Sequence, residues 1–277
     1  MGEEAHWAGV TPRLGDMETV HLVTLHGALL DSRSWRPFGE ALGTAKGIRR
    51  LDVTLPGHSE DPSDISPPTS GEIVEALLPT VSGLGDAPVV LCGHSWGGMV
   101  ALDFAARHPE LVQGLIVIES SWGTATTVWE KIGTAVARGL LRFVSPRTLA
   151  RWSAADYGRH CDTTRQYVEA TVGRRTRHQI VAVMQAVFSF DIRDQLEAIT
   201  QPTLIVVGQR NRRTHNQAKK LAKNLPQASL VSVSGAGHLP MLDNPQETAK
   251  FVTQFLHRHF GVETADARHT PAPEPLD

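Results

Sequence analysis

The sequence predicts an α/β fold with a mostly parallel central sheet, helices on both faces and an inserted helical cap. Short apolar, β-branched runs alternate with stretches of helical spacing, which indicates parallel strands joined by helices. Between residues 122 and 195 this alternation stops and only helical spacing is found. A helical segment between two strands of such a sheet predicts a cap over their carboxyl ends, where ligands bind.

Runs rich in valine, isoleucine and leucine predict six strands, and helical spacing of apolar residues predicts the elements between them. The strands are predicted at residues 20–25, 48–53, 88–92, 115–118, 202–208 and 229–233. The helices are predicted at residues 34–42, 71–81, 99–106, 129–144, 146–157, 163–173, 177–188, 216–224 and 245–259.

These elements divide the chain into a core and a cap. We expect the core to comprise residues 20–121 and 196–260, and the cap to comprise residues 122–195. Residues 1–19 and 261–277 are polar and contain glycine or proline, which is typical of poorly structured termini.

The composition limits the classes of partner. With 41 % hydrophobic residues, the 277-residue chain can bury a substantial core. A net charge of −2 argues against nucleic acid as a main partner. No apolar run approaches the roughly 20 residues that a membrane helix needs, so no membrane partner is expected. The expected partner is a small-molecule substrate. The sequence does not determine the oligomeric state, and a homodimer is one of the alternatives.

The cysteines and the first residues favour a cytoplasmic protein. Cys92 and Cys161 are too few in so long a chain for a disulfide framework, and Cys92 lies in a predicted central strand. The first ten residues lack the basic segment followed by an apolar one that marks a signal peptide. We therefore expect reduced cysteines and a cytoplasmic location.

A strand, the motif G-x-S-x-G and a helix follow one another between residues 87 and 107. In this context the serine, Ser95, lies on a tight turn between strand and helix, with its hydroxyl lifted clear of the backbone. A β-carbon at Gly93 or Gly97 would clash with neighbouring backbone at so sharp a bend. Ser95 is therefore the predicted nucleophile.

Four motifs resemble those of the α/β-hydrolase superfamily. GHSWGG (93–98) is similar to the family's nucleophile elbow, and HGALLDSRSW (26–35) to its oxyanion loop. LPGHSEDP (55–62) resembles the loop after the next strand, and GAGHLPMLDNP (235–245) resembles the histidine loop. The resemblance covers roughly residues 20–260 and implies the α/β-hydrolase fold. Because many chemistries share this fold, the resemblance does not identify the substrate.

A serine hydroxyl is a weak nucleophile at neutral pH and needs a base within hydrogen-bond reach. His238 follows the last predicted strand in a glycine-containing loop, where the resemblance places the catalytic histidine. We therefore expect His238 to be the base. His94, beside the nucleophile, is expected to pack or bond structurally, and His26 is expected to shape the oxyanion loop.

The acid of the predicted triad departs from the common family pattern. Most relatives resemble G-x-x-D after the strand TLIVVG, but here Asn211 stands at that position, and residues 208–224 contain no Asp or Glu. Glu119 ends the strand that follows the elbow helix, and the order Ser95, Glu119, His238 is the one expected for this fold. Certain dehalogenases and lactone hydrolases of the family resemble this arrangement, so we expect Glu119 to be the acid.

The remaining site residues follow from the resemblance. A tetrahedral intermediate needs preorganised donors for its negative oxygen. The backbone amides of Ala28 and Trp96 are expected to supply them. The residues expected to line the substrate pocket are His26, Leu29, Trp122 and Trp129.

Other polar residues suggest neither a metal nor a cofactor, because no ligands with metal-binding spacing occur. Asp243, ahead of Pro245, is expected to cap the last helix. Nine arginines of the cap region could attract an acidic substrate, although solvated helix faces explain most of them. They are Arg138, Arg142, Arg147, Arg151, Arg159, Arg165, Arg174, Arg175 and Arg177.

Together these residues predict a cofactor-free serine hydrolase that cleaves an ester, lactone or thioester of an apolar or aromatic small molecule through an acyl-enzyme. The position of the acid favours a lactonase or esterase. One alternative is a cofactor-free ring-cleaving dioxygenase, whose family members keep the serine and histidine and place the acid after the same strand. The other is a non-catalytic small-molecule-binding relative, which the full set Ser95, Glu119 and His238 disfavours.

Overall fold

The computed structural model describes residues 19–67, 69–124, 133, 135, 136 and 139–263. The strands within these ranges are β1 (Val20–Leu25), β2 (Ile48–Val53), β3 (Val89–His94), β4 (Gly114–Ile118), β5 (Thr203–Gly208) and β6 (Ala228–Val233). They form one parallel sheet in the order β2-β1-β3-β4-β5-β6. The predicted α/β fold with a parallel central sheet is confirmed, and each strand lies within two residues of its predicted bounds.

Helices surround the sheet. The α-helices with defined bounds are α1 (Arg36–Leu42), α2 (Ser70–Ser82), α3 (Trp96–Arg107), α4 (Pro146–Tyr157), α5 (Asp162–Gly173), α6 (Arg177–Ser189), α7 (Arg212–Asn224), α8 (Pro240–Asp243) and α9 (Pro245–Phe260). Short 3-10 helices lie at Ser32–Trp35, Pro109–Leu111 and Arg193–Ala198.

Both faces of the sheet are covered because successive residues of a strand point to opposite sides. In β3, Leu91 packs in the cluster formed with α2 and α3, whereas Val90 and Cys92 pack in the cluster formed with α1 and α9. Every residue of β3, β4 and β5 is buried. These three strands therefore form a rigid centre, and the residues that follow them are well placed to carry a site.

The strand register aligns the carboxyl ends of these central strands. His94 lies opposite Ile118 in the β3–β4 pair, and Ile118 lies opposite Val206 in the β4–β5 pair. The pairing continues by one residue, because Ser95 N donates to Ile118 O and Glu119 N donates to Val206 O, both at 2.8 Å. Ser95 and Glu119 consequently leave the sheet side by side.

Some elements differ from their predicted bounds. The α7 helix begins at Arg212, not at residue 216, because its first turn is polar and its buried residues begin only at Ala218. The α1 helix is preceded by a 3-10 turn that Asp31 caps by accepting a hydrogen bond from Arg33 N. The α8 helix was not predicted, since four residues are too few to show a helical period.

The segment between β4 and β5 contains α4, α5 and α6, each within one residue of its predicted bounds. Most of the helix predicted at 129–144 lies outside the described residues, as do 1–18 and 264–277. The cap boundaries, 122–195, stay a prediction. Cys92 and Cys161 are free thiols. Across the described ranges, no helix has the length and apolar character needed to span a bilayer.

Candidate active site

Ser95 lies on the turn between β3 and α3, with φ 49° and ψ −113°. A positive φ is uncommon for a residue other than glycine and persists where the surrounding structure imposes it. A Cβ on Gly93 would lie 2.2 Å from Gly97 O, and one on Gly97 would lie 2.2 Å from Leu25 O. The predicted need for glycine at these two positions is confirmed.

His238 lies in the loop between β6 and α8. Its main-chain oxygen accepts a hydrogen bond from His94 Nε2 at 2.8 Å, which ties this loop to the residue beside Ser95. Tyr157, the last residue of α4, stacks on the imidazole with ring centroids 4.7 Å apart and planes 26° apart. The His238 side chain keeps 17 % of its surface exposed. The ring is therefore held from the main chain and covered on one face.

His94 serves this arrangement structurally, as predicted. Burial lowers the pKa of its imidazole to about 3, and the neighbouring His238 acts in the same direction. The ring is therefore neutral at ordinary pH, with Nε2 carrying the proton that it donates to His238 O.

The carboxylate of Glu119 turns inward from the end of β4, where the residue has φ 51°. Its side chain is fully buried, and Oε2 lies 3.4 Å from His238 Nδ1. Gly208 N donates to Oε1 at 2.5 Å, and Thr214 Oγ1 donates to Oε2 at 2.7 Å. A buried carboxylate requires such donors, and they fix which oxygen faces the imidazole.

Asn211 stands where the family pattern predicts an aspartate, and its side chain bridges the Glu119 carboxylate and the His238 imidazole. Its Nδ2 donates to Glu119 Oε2 at 2.6 Å and lies 3.2 Å from His238 Nδ1. When Nδ1 is unprotonated it can accept from this amide, and when it is protonated its hydrogen can be directed at Glu119. Sequence reasoning missed this bridge, because an uncharged amide is not an expected triad member.

The Ser95 hydroxyl and His238 Nε2 have no hydrogen-bond partner in the described ranges. Catalytic hydrogen bonds are often long in a ligand-free enzyme and shorten in the substrate complex. The structure thus brings Glu119 and His238 into contact and links His238 to Ser95 through the neighbouring His94.

The loop after β1 contains Ala28, a predicted oxyanion donor. His26 begins this loop and is fully buried. Its Nδ1 donates to Gly27 O at 2.9 Å, and its Nε2 accepts from Leu55 N at 3.0 Å. Burial lowers the pKa of His26 well below its usual value, so the ring is neutral. His26 thus ties the loop to the segment after β2.

The predicted pocket residues have little surface to offer a substrate. Both ring nitrogens of His26 bond to main chain, so it presents no polar atom to a ligand, which corrects its predicted place in the lining. Leu29 is 6 % exposed and Trp122 is 8 % exposed, and both pack in the core clusters. Trp129 lies outside the described residues.

Ala28 N and Trp96 N are the amides of the predicted oxyanion hole. Neither Ala28 N nor Trp96 N donates to another part of the described chain in a turn or loop hydrogen bond. Trp96 begins α3, where backbone N–H groups have no partner within the helix.

The prediction that Asp243 caps the last helix is wrong. The cap of α9 is Asn244, whose side chain accepts from Glu247 N at 3.2 Å. Asp243 ends α8 and turns back, so Oδ2 accepts from Gly237 N at 2.8 Å and Oδ1 accepts from Thr164 Oγ1 at 2.6 Å. Asp243 therefore ties the histidine loop to α5.

A cleft of about 420 Å³ opens beside His238. Asp156 in this cleft pairs with Arg213 at 2.9 Å and Arg159 at 3.3 Å. The described ranges contain no group of three His, Cys, Asp or Glu arranged to hold a metal. Residues lining the cleft are mostly polar and basic: Asp156, Tyr157, Arg159, His160, Arg210, Asn211, Arg212, Arg213, Thr214, Gly237 and His238.

Known proteins share this fold and sequence pattern. A family model described as alpha/beta hydrolase family matches residues 22–251. A proline iminopeptidase of Saccharolobus solfataricus is 26 % identical over 268 residues, covering 87 % of this chain and 86 % of that protein. A pimeloyl-(acyl-carrier protein) methyl ester esterase of Aromatoleum aromaticum is 29 % identical over 259 residues, covering 85 % and 98 %. The solved enol-lactonase of Burkholderia xenovorans has a TM-score of 0.71 at 22 % identity, covering 88 % and 93 %.

Proposed function

Because the chain belongs to the alpha/beta hydrolase family and is a hydrolase, we propose that it is a cofactor-free serine hydrolase acting through an acyl-enzyme. Its substrate is an ester, lactone or thioester of an apolar or aromatic small molecule. Ser95 is the nucleophile, His238 the base and Glu119 the acid of the triad. The amides of Ala28 and Trp96 form the oxyanion hole.

One observation carries this proposal: the buried Glu119 carboxylate lies 3.4 Å from His238 Nδ1. An imidazole that takes a proton from serine becomes positively charged and needs a nearby anion. Its other neighbour on that side, Asn211, is uncharged. Glu119 therefore supplies the charge that the usual aspartate supplies in the relatives that this sequence resembles.

The proposed reaction uses these groups in sequence. Ser95 Oγ attacks the carbonyl carbon while His238 Nε2 accepts its proton, and the carbonyl oxygen becomes an oxyanion held by two amides. Collapse of this intermediate breaks the bond to the leaving group, which takes the proton from His238. His238 then takes a proton from water, and the water attacks the acyl-enzyme. This second step releases the carboxylic acid product, and His238 returns the proton to the Ser95 oxygen.

The names of similar proteins support a carboxylic ester or lactone as the bond cleaved. They include a methyl ester esterase at 29 % identity and an enol-lactonase of the same fold. The proline iminopeptidase among them makes a prolyl amide a necessary member of any substrate panel.

The test is fluorophosphonate labelling with mapping of the adduct, together with a panel of esters, lactones, thioesters and a prolyl amide. Ser95→Ala should abolish labelling and lower ester turnover by at least ~10³, since nucleophile and base act as a unit. Ser82→Ala is a matched control, because Ser82 is exposed at the end of α2 and its Oγ donates to Pro79 O.

Labelling that persists in Ser95→Ala would reject the acyl-enzyme. An oxygen electrode run on hydroxylated heteroaromatic compounds then tests the dioxygenase alternative directly. Oxygen uptake without ester turnover would identify that chemistry in place of hydrolysis.

A further inference from the structure

Arg175 lies between α5 and α6 and is only 5 % exposed, unlike the solvated arginines expected in this region. Its guanidinium donates to main-chain oxygens of two loops. Nε donates to Leu29 O at 3.2 Å, and Nη2 donates to Leu30 O at 2.6 Å. Nη1 donates to His58 O at 2.5 Å and to Ser59 O at 2.8 Å. The loop after β1 is thus bonded directly to the segment between β4 and β5.

This buried guanidinium brings a positive charge to the loop. Burial lowers the pKa of Arg175, and the Asp31 carboxylate, 3.9 Å from Nη2, opposes that shift. Asp31 is shared, since Arg33 donates to its Oδ2 at 2.6 Å and Tyr167 OH donates to its Oδ1 at 3.0 Å. An arginine side chain stays protonated in proteins, so the carbonyls that it binds are polarised by a full charge.

A chain of hydrogen bonds leads from Arg175 to Ala28. Leu29 C=O and Leu30 N–H belong to one planar trans peptide group and point in opposite directions. Leu30 N donates to Gly27 O at 3.2 Å. Gly27 C=O in turn shares its peptide group with Ala28 N–H. Two peptide groups therefore connect the Nε of Arg175 to the amide that the proposed reaction needs.

The backbone of this loop requires such support. Leu29 has φ 63°, a left-handed conformation that costs free energy in a residue with a β-carbon. His26 holds the start of the loop through Gly27 O, and Arg175 holds its end through Leu29 O. The direction of the Ala28 N–H is therefore set from both sides.

We propose that Arg175 is a positioning residue for the oxyanion hole, which orients the peptide groups of the loop and polarises them towards the Ala28 N–H. Hydrogen bonds in a chain strengthen one another, and donors preorganised for a developing negative charge act mainly in the transition state. This inference rests on the proposed serine hydrolase function. It goes beyond that function by giving a side chain outside the triad a part in oxyanion stabilisation.

The experiment compares Arg175→Gln with a matched control, Gln179→Met. Gln179 on α6 is 2 % exposed, and its Nε2 donates to Ser59 O, Asp61 O and Asp64 O but not to the loop after β1. We expect Arg175→Gln to lower kcat about tenfold with KM within threefold, and to slow fluorophosphonate labelling by a similar factor. Gln179→Met should lower the melting temperature but leave kcat within threefold.

Arg175→Lys keeps the charge without the full set of donors, so its kcat should lie between those of the wild type and Arg175→Gln. Should Arg175→Gln fail to fold, Arg175→Lys and rescue of Arg175→Ala by added guanidinium provide the comparison. Equal losses of kcat in the Arg175 and Gln179 variants would overturn the proposal, because both would then act only by docking the helices. An unchanged kcat in Arg175→Gln would also overturn it. A wild-type protein that neither hydrolyses esters nor takes up fluorophosphonate would reject the proposed function itself.

Discussion

Glu119→Gln removes a negative charge from the proposed triad while keeping the shape of the side chain. Two unit charges 3.4 Å apart, the distance from Glu119 Oε2 to His238 Nδ1, attract each other by about 5 kcal/mol at an effective dielectric constant near 20. In the proposed reaction His238 is charged only after it takes the serine proton, so this attraction is gained chiefly in the transition state. Since about 1.4 kcal/mol corresponds to a tenfold change in rate, turnover should fall by roughly 10³ to 10⁴.

Folding should change little in the same variant. A glutamine oxygen can still accept from Gly208 N, as Oε1 does now. The new NH₂ group would face Thr214 Oγ1 and Asn211 Nδ2, which at present donate to the carboxylate. The hydroxyl can rotate and the Asn211 amide can turn, so that both then accept a hydrogen bond.

The assay measures kcat and KM with a p-nitrophenyl ester, and the Ser95→Ala variant gives the background rate. The melting temperature is measured on each sample. Asn211→Ala should cost less than about tenfold, because an uncharged amide contributes weakly. The double variant Glu119→Gln with Asn211→Asp places one carboxylate back beside His238 Nδ1. It should recover part of the rate that Glu119→Gln loses.

Two results would refute this reasoning. The first is a Glu119→Gln enzyme with turnover within tenfold of the wild type. The second is an Asn211→Ala enzyme that loses as much activity as Glu119→Gln, since the bridging amide and not the charge would then be essential.

Three further results are expected. Burial lowers the pKa of His58 to about 4 and that of His94 to about 3, and the pKa of His26 also lies well below its usual value. The unfolded state, in which a histidine has a pKa of about 6.5, therefore binds more protons than the folded state. The free energy of unfolding should consequently decrease as pH falls from 6.5 towards those values. Urea midpoints from pH 8 to pH 4 measure this, and a midpoint constant down to pH 5 would contradict it. Gly97→Ala should strongly destabilise the protein, because its Cβ would lie 2.2 Å from a backbone oxygen of β1; an unchanged melting temperature would disprove the clash. Trp129→Ala should change the ratio of turnover between small and bulky esters more than it changes stability, whereas a uniform loss with a lowered melting temperature would assign this tryptophan to the core.

The sequence predicts well those features that depend on neighbouring residues. The strand, turn and helix around Ser95 are local, and the glycines that the turn needs are visible in the motif GHSWGG. The strands are also local, because each consists of a short apolar run. The role of Glu119 as the triad acid is predicted in a different way, because residues 208–224 contain no other acid.

The contacts that depend on tertiary structure were not predictable in this way. Nine arginines of the cap region are equivalent in the sequence, and only packing shows that Arg175 reaches the main chain of the loop after β1. Asp243 resembles a helix cap because Pro245 follows it, but the unpredicted α8 helix turns its carboxylate towards Gly237. Asn211 carries no charge to mark it, so its bridge between Glu119 and His238 appears only in the folded chain.

The stacking of Tyr157 on His238 matters for anyone who wishes to alter this protein by exchanging segments. The ring belongs to α4, whereas Ser95, Glu119 and His238 all follow strands of the sheet. A chimaera that received helices α4–α6 from a relative would keep all three side chains but lose the aromatic surface against the imidazole. Substrate selectivity and the support of the imidazole would then change together, whereas a graft that retains a tyrosine at position 157 would change the cap and keep that support.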